Sequence, residues 1–177
     1  MNRAVSFLIV AVLLAGLGVY QYMARDSASA TTASADFKPK PGSTVAAQQL
    51  PGLDEQTYSI GGKQSKLTFV NFWASWCGPC ELEAPDLQEL HLKYGDRMQL
   101  LGLNATSYDK ERSAREFVKE HEFTFPILMD REGAMTKKFK VNNFPTSFLI
   151  DENGMIRERV NGVITIEEWE RLIEKWL

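Results

Sequence analysis

The sequence predicts an α/β fold, a mixed sheet with helices on both faces, preceded by an N-terminal transmembrane helix. Three observations carry that reading. Continuous apolar, β-branched runs at 67–72 and 98–103 have the pattern of strands buried on both faces. They alternate with segments of helical pattern at 77–94 and 110–121. Finally, 147–151 and 155–160 read as two strands joined by the turn Glu152-Asn153-Gly154, which adds an antiparallel hairpin to an otherwise parallel order.

In chain order, Arg3 and Arg25 bracket 21 uncharged residues, 4–24. As a helix such a stretch reaches about 31 Å, close to the thickness of a bilayer core. Signal-peptide cores are shorter, roughly 7–15 residues. Tyr20 and Tyr22 lie at one end, where interfacial aromatics belong. Residues 1–25 are therefore expected to be a membrane anchor. A cleaved signal is the alternative, because Ala28-Ser29-Ala30 and Ala33-Ser34-Ala35 have the small-residue pattern of a processing site. A buried core helix would carry a polar stripe, and this segment has none. Either of the first two readings exports the rest. The expected location is the cell membrane, single-pass, with the folded body on the extracytoplasmic side. Residues 26–42 read as a flexible linker, Ser/Ala/Thr-rich and then Pro39, Pro41 and Gly42. The body, 43–177, is large enough for one core.

Within the body, 45–50 and 56–60 are expected as short strands, with Gly61-Gly62 as a turn. Strand 67–72 follows, then the helix 77–94, interrupted by Pro85 and stopping near Gly95. After strand 98–103 comes an amphipathic helix, 110–121, with Ala114, Phe117 and Val118 on one face. A strand at 125–129 and a short helix at 132–139 precede the hairpin. Thr165 caps the last helix, with Glu168 at the capping-box position and Trp169, Leu172, Ile173 and Trp176 on the apolar face.

Composition narrows function. At 177 residues, 44% hydrophobic and 24% charged, the chain is globular in type. Its 20 basic and 23 acidic residues include no Lys/Arg-rich stretch, so no nucleic-acid partner is expected. Without Arg3 and Arg25, 18 basic residues face the same 23 acids, a net charge of −5 that suits solubility. Only two cysteines are present, which excludes a multi-bridge secreted scaffold.

Those cysteines carry the chemistry. Cys77-Gly78-Pro79-Cys80 follows a strand and opens a helix. A thiol there faces unpaired backbone N–H groups and the positive end of the helix dipole, both of which favour thiolate. Pro79 fits the first turn, where its missing N–H is not needed. Gly78 leaves the approach to Cys77 open. Cys80 is placed to attack a mixed disulfide on Cys77 and release the product. A purely structural disulfide would close too short a loop to stabilise much. A zinc site would need four ligands, and His91 and His121 are each isolated, so they are expected to be solvated or packed. No metal site and no cofactor are expected.

The segment from Phe69 to Cys80, FVNFWASWCGPC, resembles the thioredoxin active-site segment. Pro85 matches the helix-kinking proline of that fold, and Asn143-Phe144-Pro145-Thr146-Ser147 resembles the segment that carries its cis-proline. With the anchor, the β extension before Leu67 and the strand–helix insert between Leu103 and Phe139, the chain resembles the TlpA/ResA-like membrane-anchored thiol-disulfide oxidoreductases. The resemblance implies a thioredoxin-like domain over 43–177 and a cis Phe144–Pro145 bond that turns the Phe144 backbone toward substrate. Substrate contacts are accordingly expected at Trp76, Gly78, Pro79, Phe144, Pro145 and Thr146. Asn71 stands where thioredoxins carry a buried acid. Glu83 matches the glutamate of the ResA-like pattern and shares a helix face with Cys77 and Cys80, so it is expected to be partly buried and to relay the proton of Cys80. Glu81 reads as a solvated acid. Trp73 reads as core.

The expected activity is reduction of protein disulfides outside the cytoplasm. The resemblance implies a CcdA-type membrane thiol donor and apocytochrome c cysteines as acceptor, hence a part in cytochrome c maturation. A disulfide oxidase or isomerase on the same fold is the alternative within enzymes, because exported spaces are oxidising. A copper-binding chaperone is the alternative from another class.

Overall fold

A computed structural model describes residues 37–177 and, before them, residues 12–14, 16, 17 and 21, which are helical. The rest of the expected anchor and linker residues 26–36 lie outside the described residues, whereas residues 38–42, expected as linker, belong to the folded unit. Among the described residues, no helix is long and apolar enough to cross a membrane.

Residues Lys38–Leu177 form one compact unit. An antiparallel pair, β1 (Gln48–Pro51) and β2 (Thr57–Ile60), precedes a five-stranded sheet. That sheet comprises β3 (Leu67–Trp73), β4 (Met98–Asn104), β5 (Ile127–Met129), β6 (Thr146–Ile150) and β7 (Ile156–Asn161), in spatial order β5-β4-β3-β6-β7. The β3/β4 and β4/β5 pairs are parallel, and β3/β6 and β6/β7 antiparallel. The expected mixed sheet is thus observed, with β3 at its centre. Every residue of β3 is buried, as its unbroken apolar run requires.

Four α-helices connect and cover the sheet: α1 (Gly78–Tyr94), α2 (Glu111–Glu120), α3 (Ala134–Lys138) and α4 (Ile166–Trp176). α1 buries Cys80, Glu83, Ala84, Leu87, Leu90 and Tyr94, a helical spacing that presses one side against the sheet. Pro85 does not interrupt it, contrary to the sequence reading. The proline lies on the exposed side, so the backbone bond it cannot make is lost toward solvent while the buried side keeps the helix in place. α2 buries Ala114 and Phe117, and the Phe117 ring stacks on the expected core residue Trp73 at 4.7 Å. α4 buries Trp169, Leu172 and Ile173, with Trp169 meeting Phe69 of β3 at 4.6 Å. Thr165 caps it by accepting the Glu168 N–H at 3.3 Å, but the Glu168 carboxylate faces Arg171 at 3.6 Å instead of closing the reciprocal half of the box.

Strand β5 is shorter than expected because Pro126 has no N–H to donate, although its carbonyl still accepts from Gly102 at 3.0 Å. The N-terminal extension is bonded to both ends of the sheet order. Leu53 N–H donates to Ile127 O at 2.7 Å beside β5, and Val45 N–H donates to Gly154 O at 2.8 Å at the β6–β7 turn. Gly154 is required there. Its φ is +79°, and a Cβ would meet backbone atoms of Gly62 and Val45 at 2.8–2.9 Å.

Candidate active site

Strand β3 ends at Trp73, and three residues later the chain turns into α1 through Cys77. Cys77 is the N-cap, in extended conformation, and its Sγ accepts the Cys80 N–H at 3.2 Å. A sulfur thus occupies the place where Ser, Thr or Asp usually satisfies a helix's free N–H groups. That placement favours negative charge on Cys77. Cys77 and Cys80 are joined as a disulfide. Cys77 is 5% exposed and Cys80 2%. Gly78 and Pro79 beside them are exposed, and a Cβ at Gly78 would meet nothing within 4 Å, so the approach is open on that side.

One turn further on, Glu83 is 1% exposed. Asn71 Nδ2 donates to Glu83 Oε1 at 2.6 Å and to Ser147 Oγ at 3.0 Å, linking β3, α1 and β6. Glu83 Oε2 and Asn71 Oδ1 are buried with no partner among the described residues. Burial pushes the Glu83 carboxyl up from 4.5 to about 8. The Asn71 hydrogen bond opposes that shift, and the neighbouring charge of Asp86 adds to it. At neutral pH this carboxyl holds its proton and can exchange it over the range in which thiols titrate.

The Phe144–Pro145 bond is cis. Pro145 is buried, and its carbonyl accepts the Gly162 N–H at 2.8 Å. Phe144 is half-buried, and its ring meets that of Trp76 edge-on at 5.8 Å. Trp76 is 62% exposed and donates its indole N–H to Tyr108 O at 2.8 Å. Trp76 and Phe144 therefore form an aromatic rim next to Cys77 in the chain, with the indole held by the Tyr108 backbone carbonyl. Thr146 lies inside it. Its side chain is buried and donates to Asn143 O at 2.8 Å, supporting the cis-proline turn from within. Glu81 is exposed, as expected.

Sequence reasoning missed the support of the loop before Cys77. Asp109 accepts from Ser75 N–H at 2.6 Å, Ser75 Oγ at 2.6 Å, Asn104 Nδ2 at 2.8 Å and Lys110 N–H at 2.7 Å. Partial burial alone would raise the Asp109 carboxyl, but these donors outweigh it and hold it below its ordinary value. Asn104-Ala105-Thr106 carries no signal of this clamp beyond its polar residue types. Among the described residues no group of three or more His, Cys, Asp and Glu comes together as a metal site. His91 packs on Phe125 at 5.6 Å and His121 on Phe117 at 4.3 Å.

A Cys-x-x-Cys disulfide at the N-terminus of a helix, between a central strand and a cis-proline loop, defines a thioredoxin-like thiol-disulfide oxidoreductase. Comparison with known proteins agrees. The chain belongs to the AhpC/TSA family, whose pattern matches residues 41–159. It is 36% identical over 124 residues to the thiol-disulfide oxidoreductase ResA of Bacillus thuringiensis, covering 70% of each chain. It is 33% identical over 126 residues to the thioredoxin-like protein YneN of Bacillus subtilis, covering 71% of this chain and 74% of that one. Among solved structures, StoA from Bacillus subtilis superposes with a TM-score of 0.65 at 29% identity, covering 72% of this chain and 96% of that one.

Proposed function

We propose that the protein is a reductant of protein disulfides, held at the outer face of a membrane by residues 4–24 and acting in cytochrome c maturation. The reduced Cys77 thiolate attacks a substrate disulfide, forming a mixed disulfide and releasing one substrate thiolate. Where Glu83 is ionised, a fraction that grows as the pH approaches 8, Cys80 then gives its proton to that carboxylate and attacks Cys77 Sγ. The second substrate thiolate leaves, the substrate is reduced by two electrons, and Cys77–Cys80 is oxidised. A membrane thiol donor of the CcdA type restores the dithiol. Apocytochrome c haem-attachment cysteines are the acceptor.

The observation that carries the reading is the buried Glu83 carboxyl with one oxygen unpartnered, on the helix face of Cys80 and one turn behind it. A proton acceptor kept out of water serves the resolving thiol, which must lose its proton while almost fully buried. Substrate binding is supported by the rim. Among the described residues the Phe144 backbone makes no hydrogen bond, so its N–H and C=O are available to an extended peptide, with Trp76, Gly78, Pro79 and Pro145 alongside. The ResA relatives are thiol-disulfide oxidoreductases by name, which supports the reaction class. The uncharged stretch at 4–24 supports the tether.

The test is a redox titration with Glu83→Gln beside the wild type. A reductant has a potential near about −270 mV, whereas one near −120 mV marks an oxidase and overturns the direction proposed. Glu83→Gln is expected to slow resolution by about 100-fold and to flatten its pH profile between pH 6 and 9. A profile equal to wild type removes Glu83 from the mechanism. Cys80→Ser, which stalls the mixed disulfide on Cys77, identifies the acceptor in cells. Captured partners that lack apocytochromes refute the pathway assignment.

A further inference from the structure

A cleft of about 550 Å³ lies between the turn Thr106–Tyr108 and α3, next to the Trp76–Phe144 pair. Tyr108 lines one wall, and Lys137, Lys140 and Asn142 line the other. Both walls connect to the Trp76–Phe144 pair. The Tyr108 carbonyl holds the Trp76 indole at 2.8 Å, and Asn142 lies two residues before Phe144, whose ring meets Trp76. A polypeptide bound across Trp76 and the cis-proline loop continues naturally into this cleft.

The cleft is positively charged. Lys137 and Lys140 face a single lining acid, Glu132. Both lysines are exposed, and among the described residues neither enters an ion pair, so their charges face the cleft uncompensated except by Glu132. Lys140 is also one of three described non-glycine residues with positive φ, beside Glu55 and Glu122. Its φ is +48°, in the left-handed region that favours Gly or Asn and disfavours a long side chain. Its carbonyl is held by Arg159 Nη2 at 3.1 Å, so the turn is braced in that conformation. The chain as a whole carries a charge of −3, so a local excess of cations stands out against it.

We infer that this cleft extends the active site and receives an acidic side chain of the substrate, making disulfides flanked by Asp or Glu within a few residues the preferred targets. The inference rests on the disulfide-exchange reading above and names its substrate class. Charge complementarity at an exposed rim acts mainly on encounter and register, so it is salt-sensitive.

The test uses peptides that carry one disulfide and differ only in two residues on one side of the reacting cysteine, as Glu, Gln or Lys, with the N-terminal and C-terminal placements made separately. Reduced wild-type protein is expected to react about fivefold faster with the Glu peptide than with the Gln peptide in one placement, and more slowly with the Lys peptide. In Lys137→Gln/Lys140→Gln the Glu-to-Gln rate ratio is expected to fall to about one, and in Glu132→Gln to rise. The wild-type ratio is expected to shrink between 50 and 500 mM salt, as an electrostatic origin requires, to about half its low-salt value. Equal rates for Glu and Gln peptides in both placements, or a ratio that survives in the double variant, would overturn the inference while leaving disulfide exchange intact. Failure to reduce any of the peptides would overturn it together with the reading beneath it.

Discussion

Glu83 and Asp130 are both buried carboxyl groups, 1% and 3% exposed, yet their surroundings differ sharply. Asp130 Oδ1 accepts the Met135 N–H at 3.1 Å, and Oδ2 accepts the Thr136 N–H and hydroxyl, each at 2.7 Å. Both oxygens are used, and together they tie down the first turn of α3. Glu83 accepts one hydrogen bond, from Asn71, and its second oxygen has no partner among the described residues. Burial is therefore not itself the sign of a reactive acid. A carboxyl group surrounded by donors holds structure, whereas one left half-satisfied is free to take or give a proton.

The comparison can be broken in several ways. The largest effect concerns pH. The folded protein keeps the Glu83 proton up to about pH 8, while the unfolded chain releases it near 4.5. Between those values the folded state binds more protons, so raising the pH favours unfolding. The contribution of Glu83 is most favourable below 4.5 and declines toward 8, by about 5 kcal/mol over the whole interval. Urea unfolding of Glu83→Gln is expected to lose most of that slope, and an unchanged slope would mean that Glu83 does not titrate in this range.

Asp130→Ala should behave oppositely, losing about 3 kcal/mol at neutral pH because it leaves two backbone N–H groups and a hydroxyl without their acceptor. Its exchange rate with a small disulfide, measured on folded protein, should stay near wild type. A large loss of exchange with little loss of stability would invert the assignment of the two acids. Asp109 falls between them. Asp109→Ala is expected to destabilise by about 2 kcal/mol and to alter the Trp76 fluorescence as the Ser75 loop loosens. Because its folded-state value lies below the ordinary 3.8, its stabilisation is complete above that value and is lost as the pH falls below it. Thr165→Ala, which removes an exposed helix cap far along the chain, should cost about 1 kcal/mol with no change in exchange, and thereby calibrates the others.

Much of this contrast was legible in the chain itself. The cysteines could be placed because Cys-Gly-Pro-Cys sits between a seven-residue buried strand and a helix, a junction that hydrophobic period alone reveals. The burial of Glu83 followed from its i+3 step behind Cys80. The cis bond at Pro145 came only through resemblance, since no local rule distinguishes it from an ordinary turn proline. Asp109 and Asp130 went unread for a different reason. Asp109 meets Ser75 across 34 residues, and only the parallel register of β3 with β4 makes them neighbours. The short helix after Asp130 was expected, but Asp130 stands three residues before its N-cap, Gly133, where no capping rule would seek the acceptor. Thr146 was expected at the substrate surface, but the inward bond of its hydroxyl to Asn143 could not be foreseen from the motif.

The way the extension meets β5 determines how far the chain tolerates shortening. Gly52 bridges to Leu128, and Leu53 bonds to Ile127, so a few residues cover what would otherwise be the raw margin of the sheet. Trimming the protein back to its central sheet would uncover that margin as a row of bare amides and carbonyls beside apolar side chains, which is the usual starting point for self-association. A fragment beginning near Leu67 should therefore clump at concentrations where the longer protein stays dispersed, even with its catalytic pair intact.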